Sequence, residues 1–221
     1  QIKGRVLTFT EIGMMFMNKT VLIASLFLCG CAGIDYRLLA DYTVQSFRGA
    51  EDITIDDNFI NSRDFSFVKV KIGRSAIATL GLYSIQDDLY EWIGSDGVIL
   101  KTKHGRIVEV YGLDKNMQIL DKSSISSFQE SVYKSFIVSI DNPKAFITID
   151  SSSSITNEDL MLNKNYPSIR ADEKFSSSTK FKWNGTNTYW YSEENGLPLK
   201  TKQHIHPHLK EIELEFYYIF K

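Results

Sequence analysis

The stretch from Glu211 to Tyr218 alternates strictly. Ile212, Leu214, Phe216 and Tyr218 take one set of positions, and Glu211, Glu213 and Glu215 take the other. On a strand, residues two apart share a face, so one face here must be buried and the other wet. The same period recurs upstream. Val68, Val70 and Ile72 alternate with Lys69 and Lys71, and residues 75–83 (SAIATLGLY) continue as a strand. Leu89–Ile93 and Val98–Thr102 flank a Ser95-Asp96-Gly97 turn. Lys103-His104-Gly105 then turns the chain into Arg106–Leu113. Such hairpins, punctuated by glycine turns, read as an antiparallel meander.

Val132–Ile140 and Ala145–Ile149 form another hairpin across Asp141-Asn142-Pro143-Lys144. The last fifty residues continue the pattern. Lys180–Trp183 precedes an Asn184-Gly185 turn, then come Thr188–Tyr191, a Glu194-Asn195-Gly196 turn, Leu197–Ile205, a Pro207-His208 turn and the final strand. At least eight strands predict an all-β fold, a curled sheet or small barrel whose closure removes the sheet edges. Residues 114–129 are weakly patterned and read as loop. Residues 151–172, rich in Ser and Asn and containing Pro167, read as a surface excursion. One short N-terminal helix is expected over Asp35–Phe47, where Leu38, Leu39, Tyr42, Val44 and Phe47 recur near helical spacing ahead of Gly49.

Composition agrees. Aromatics make up 13% of the chain, a leaning toward strands. The net charge of −2 and the lack of a Lys/Arg cluster argue against nucleic acid as a partner, because phosphate binding needs a concentrated basic face.

The two cysteines, Cys29 and Cys31, close an apolar stretch near the N-terminus. A disulfide-stapled domain would spread cysteines along the chain. From Met17 the chain reads MNKTVLIASLFLCGC: one lysine, a brief apolar run, then a small residue before cysteine. That is the form of a secretory signal, and the run is too short to span a bilayer. Leu28-Cys29-Gly30-Cys31 resembles the lipobox of bacterial lipoproteins, which implies cleavage before Cys31 and acylation of its thiol and new amino group. Several acyl chains at about 0.8 kcal/mol per CH₂ anchor firmly where one does not. Residues 1–16 read as upstream sequence translated through, 17–30 as the signal peptide and 31–221 as a single domain. The lipoprotein resemblance also implies the outer membrane, because Ala32 rather than Asp follows the cysteine.

A family resemblance rests on two groups of residues. The first is Trp92, Ser95-Asp96, Leu100, Thr102, Gly105-Arg106 and Gly112-Leu113. The second is Tyr189-Trp190-Tyr191, Gly196, Lys200-Thr201-Lys202-Gln203, Pro207 and residues 212–216 (IELEF). Their order resembles that of the YjbF/GfcB lipoproteins from about Cys31 onward. Ser192 departs from the aspartate usual there. The resemblance implies a lipoprotein of the outer membrane's periplasmic face, produced with capsule or exopolysaccharide secretion genes. Its partners would be other export proteins, including an outer-membrane β-barrel.

Candidate chemistry is sparse. In HIHPH, His204 and His206 share a strand face, but a zinc site needs more ligands, no cysteine is near, and Pro207 interrupts the strand. They read as solvated histidines, and no metal or cofactor is expected. Asp87-Asp88 and Glu193-Glu194 are adjacent carboxylates. Glycosidase chemistry needs two carboxyls about 5–10 Å apart across a cleft, whereas strand neighbours point to opposite faces, so these read as turn residues. Trp92, Trp183 and Trp190 are candidates for stacking on sugars or meeting a partner; the competing reading is core aromatics. Asn184-Gly185-Thr186 matches a glycosylation acceptor and reads as a turn. No catalytic residues are expected. Three roles follow: a non-enzymatic accessory in polysaccharide export, a carrier or chaperone with a β cavity, and a glycan-active enzyme. A filled interior with an exposed aromatic patch would favour the first. An aliphatic pocket would favour the second, and two facing carboxylates in a cleft the third.

Overall fold

The computed structural model describes residues 55–75, 77–126, 133–178 and 181–219. Cys31, the signal segment and the helix expected over Asp35–Phe47 lie outside the described residues. A one-turn helix, α1 (Asp57–Asn61), leads in; Asp56 caps it by accepting from Phe59 N at 2.8 Å. Twelve strands follow: β1 (Phe67–Ile72), β2 (Ala78–Gln86), β3 (Leu89–Ile93), β4 (Ile99–Lys103), β5 (Arg106–Tyr111) and β6 (Met117–Ile119), then β7 (Tyr133–Ile140), β8 (Ala145–Met161), β9 (Asn165–Ser177), β10 (Asn184–Ser192), β11 (Pro198–Gln203) and β12 (Ile212–Tyr217). Each strand pairs antiparallel with its neighbour in sequence, and β12 pairs back onto β1 to close the barrel.

The alternation read in the sequence sets which face points in. Val70 sits opposite Leu214 and Val68 opposite Phe216, and all four are buried. Trp92, Leu100, Val110, Met117, Val138, Ile147 and Ile149 continue this core around the barrel. Aromatic rings fill its width. Trp92 lies 6.0 Å from Tyr90 and 5.7 Å from Phe216, centroid to centroid, and Phe175 meets Trp183 edge-on at 5.2 Å.

Three stretches differ from the sequence reading. The serine-rich residues 151–172 are not a loose excursion but the main part of the β8–β9 hairpin, paired from Ile149↔Ser177 to Met161↔Asn165. β7 pairs with β8 only as far as Tyr133↔Ser152. Beyond that pair β8 runs on largely exposed, and the residues β9 buries opposite it, Ser168, Ala171 and Glu173, are small or polar, so the hairpin carries no apolar alternation to read. Residues 114–129 contain β6, too short to show a period. Asn184-Gly185 is not a turn: it opens β10, and of the strand expected over Lys180–Trp183 the described residues 181–183 are not strand. A Cβ at residue 185 would stand 3.0 Å from the Phe175 ring, so glycine is there for close packing. The chain reverses just before it, where Ser177 N bonds Trp183 O at 2.8 Å.

One end of the barrel is sealed by interlocked turns. Asn116 binds the Asp141 carboxylate through its backbone N–H and its side-chain amide, at 2.6 and 2.7 Å. His206, buried, meets Asp141 O at 2.7 Å through Nε2.

Candidate functional site

The interior holds one polar cluster. Arg106 opens β5, and its guanidinium reaches Glu173 of β9, with Nη2 to Oε1 at 2.5 Å and both side chains buried. Its Cζ lies 5.2 Å from the Phe136 ring centroid and 5.5 Å from that of Tyr189. The other Glu173 oxygen accepts from Asn187 Nδ2 at 3.2 Å and the Tyr189 hydroxyl at 3.3 Å. Burial pushes the Glu173 carboxyl up, but the Arg106 charge and these hydrogen bonds outweigh it and hold the carboxyl below the usual range. Burial pushes the Tyr189 and Tyr191 hydroxyls up, and Tyr191 donates to His104 O at 2.8 Å.

Gln203 ties this cluster to the β4–β5 turn. Its Nε2 donates to Gly105 O and its Oε1 accepts from Ile107 N, both at 2.9 Å. Trp92 Nε1 donates to Thr102 Oγ1 at 2.9 Å. The two distant groups of residues that carried the family resemblance thus meet inside one barrel, and their chemistry is that of buried polar groups satisfied by one another.

The cluster leaves little space. The interior cavity beside it, between Phe175, Trp183, Gln203 and His204, measures about 20 Å³, room for about one water. His204 Nδ1, buried at its edge, has no protein partner.

The candidate residues scatter. Asp87 and Asp88 form the two-residue β2–β3 turn, with φ of 52° and 61°, the left-handed pair that such a turn requires. Glu193 and Glu194 belong to the β10–β11 turn. His206 engages both ring nitrogens, Nε2 with Asp141 O and Nδ1 with His208 N at 3.1 Å. Among the described residues no three His, Cys, Asp or Glu side chains converge as a metal site. Trp92 and Trp183 are core residues. Trp190 faces outward between Arg170 and Lys200 but is covered, with Arg170 Cζ 5.6 Å from its ring centroid and its indole N–H unpartnered. All three tryptophans are buried, so none offers a ring face to a sugar as it stands.

The outer face divides into two kinds of surface. Across β1, β12 and β11 run two charged rows: Lys69–Glu215–Lys200 at 2.9 and 3.0 Å, and Lys200–Glu213–Lys202 at 2.8 and 3.6 Å. A membrane-spanning barrel carries an apolar outer band and a polar lumen, and a Lys there costs about 2–4 kcal/mol at mid-bilayer. On β1, β12 and β11 this barrel shows the reverse, a charged outer face over an apolar interior. On the opposite strands three exposed apolar side chains stand on the outer face among Gln118, Ser135, Ser139 and Thr148. Phe146 is 66% exposed, Leu120 50% and Ile137 44%. They are neighbours: Leu120 N bonds Ile137 O at 3.0 Å, and Phe146, opposite Ser139, lies diagonal to Ile137, two pairs along from Ile137↔Thr148. Tyr133 and Tyr111, also exposed, lie farther along β7 and on β5. Sequence reading passed over this patch, yet a signal was there. Residues 136–138 (FIV) and 145–147 (AFI) are apolar triples, and on a strand the middle residue must face out.

Among the described residues the domain is thus a filled, up-and-down barrel with exposed apolar side chains at Leu120, Ile137 and Phe146. The chain belongs to the YjbF family, described as group 4 capsule polysaccharide lipoprotein GfcB, which matches residues 40–217. It is 21% identical over 212 residues to the uncharacterized lipoprotein GfcB of Escherichia coli K12, covering 88% of this chain and 94% of that protein. Its fold is similar to the crystal structure of the hypothetical lipoprotein YmcC from Escherichia coli K12, with a TM-score of 0.67 and 18% identity, over 76% of this chain and 90% of the other.

Proposed function

We propose that this capsule-family lipoprotein is cleaved before Cys31, acylated there, and held at the periplasmic face of the outer membrane. In that place it acts as a non-enzymatic accessory in capsule or exopolysaccharide export or assembly, docking another export protein, such as an outer-membrane β-barrel, through its outer face. The observation that carries this reading is the contiguous patch of Leu120, Ile137 and Phe146 on a barrel whose other strands carry rows of Lys and Glu. Water-exposed apolar side chains of this size are stabilised by a covering partner at about 25 cal/mol per Å² buried. The filled interior speaks against a carrier, which needs a cavity for its cargo.

The test is complementation of a deletion strain. The wild-type gene restores surface polysaccharide. Ile137→Asp with Phe146→Ser, both at exposed positions, leaves the protein folded and membrane-associated but fails to restore it. Full restoration by that variant, or unchanged polysaccharide in the deletion strain, contradicts the reading.

A further inference from the structure

Three turns meet at the sealed end of the barrel, and one imidazole joins two of them. His206 lies in the β11–β12 loop with 1% of its surface exposed. Its Nε2 stands 2.7 Å from Asp141 O in the β7–β8 turn, and its Nδ1 stands 3.1 Å from the backbone N of His208 in its own loop. The partners fix the proton. A carbonyl oxygen only accepts, so Nε2 carries the hydrogen and donates it. A backbone N–H only donates, so Nδ1 is bare and accepts. Leu209 N donates to His206 O at 3.1 Å and closes the loop. Asp141 is held in turn by Asn116 of the β5–β6 loop, through its N–H to Asn116 O at 3.2 Å as well as through its carboxylate.

Only the neutral imidazole satisfies both partners. A second proton must go on Nδ1, where it meets the His208 N–H as donor against donor in a buried site. The charged and titratable groups that face the ring are Asp141 of the β7–β8 turn, Lys115 of the β5–β6 loop and His208 of its own loop. Burial works most strongly against the cation, and His208 and Lys115 add to it. The Asp141 carbonyl and charge oppose them, and the balance holds the His206 pKa below its ordinary value. Once the loop lifts and water reaches the ring, the imidazole recovers a pKa of about 6.5. The open form therefore takes up the proton more readily, and acid favours it.

We propose that His206 is a proton-sensitive latch: protonation of its Nδ1 releases the β11–β12 loop from the β7–β8 turn and opens this end of the barrel in mild acid. The β7–β8 turn leads directly into Ala145 and Phe146 at the start of β8, so the latch also steadies the strand end that carries that exposed ring. The latch is independent of the capsule reading, and its failure leaves that reading standing.

The test follows the histidine ring nitrogens and amide hydrogen exchange by NMR of the detergent-solubilised, full-length protein, from about pH 7.5 to about pH 5. At the upper pH His206 is the Nε2–H tautomer. On acidification the His208 amide, corrected for its intrinsic rate, exchanges about tenfold faster, while the Val68 and Leu214 amides of the β1–β12 pair keep their protection. His208→Gln removes the neighbouring imidazole, keeps the backbone N–H and keeps the response. His206→Asn has no group to titrate there, and the acid response is lost. An Nδ1–H tautomer, a His206 midpoint at or above about 6.5, no acceleration in the wild type, or an equal acceleration in His206→Asn overturns the latch. Should His206→Asn fail to fold, the wild-type tautomer, midpoint and exchange decide alone.

Discussion

Arg106 and Glu173 lie 67 residues apart in sequence and meet inside the barrel as a buried ion pair, 2.5 Å from guanidinium to carboxylate. Breaking such a pair from one side leaves an uncompensated charge in a low-dielectric interior. Arg106→Met therefore lowers unfolding free energy by about 3–5 kcal/mol, read by urea denaturation. Adding Glu173→Leu removes the orphaned carboxylate and recovers most of the loss. A single variant as stable as wild type would show that the pair is not buried in solution.

The same pair sets a pH dependence. Glu173 has a folded-state pKa depressed below its unfolded value, so the unfolded chain binds more protons on acidification. Its contribution is complete above the unfolded carboxylate pKa, about 4.3, and is lost as pH falls through the folded value. Wild type loses stability across that acid range, and the Arg106→Met, Glu173→Leu double variant loses less. Parallel pH profiles for the two proteins would contradict this.

Gln203 saturates two backbone groups of the β4–β5 turn at once. Gln203→Leu orphans a buried N–H and a buried C=O, at about 1–3 kcal/mol for each. The turn itself needs glycine, because Gly105 has φ of +76° and a Cβ there would stand 2.9 Å from Pro198 Cβ. Gly105→Ala is expected to cost more than Gly97→Ala, whose φ of +84° is also left-handed but whose Cβ would meet nothing within 4 Å. Thermal midpoints in the reverse order would sink this comparison.

The Lys–Glu rows face water. Lys69, Lys200 and Lys202 are expected to react with a membrane-impermeant amine reagent in purified outer-membrane fragments that expose the periplasmic face, at rates that detergent leaves unchanged. Protection released by detergent would place that face in lipid.

Legibility followed local periodicity. The barrel strands announced themselves wherever one face was buried and the other wet, as in residues 211–218. It failed where a strand is largely exposed or buries small and polar residues, as in the outer half of the β8–β9 hairpin, and where a three-residue strand such as β6 is too short to show a period. The Arg106–Glu173–Gln203 cluster was out of reach because its members come from β5, β9 and β11 and only the register unites them. The resemblance had marked Arg106 and Gln203 without giving the physical reason for them. The outer patch could have been found from the apolar triples that break alternation at Ile137 and Phe146.

The acylation of Cys31 proposed above is independent of these contacts. Intact-mass analysis of the protein extracted from membranes tests it directly. Expected is a polypeptide that begins at Cys31 and carries a diacylglyceryl thioether and an amide-linked acyl chain, absent from the Cys31→Ser variant. A mature N-terminus at any other residue, or an unmodified Cys31 thiol, would contradict it.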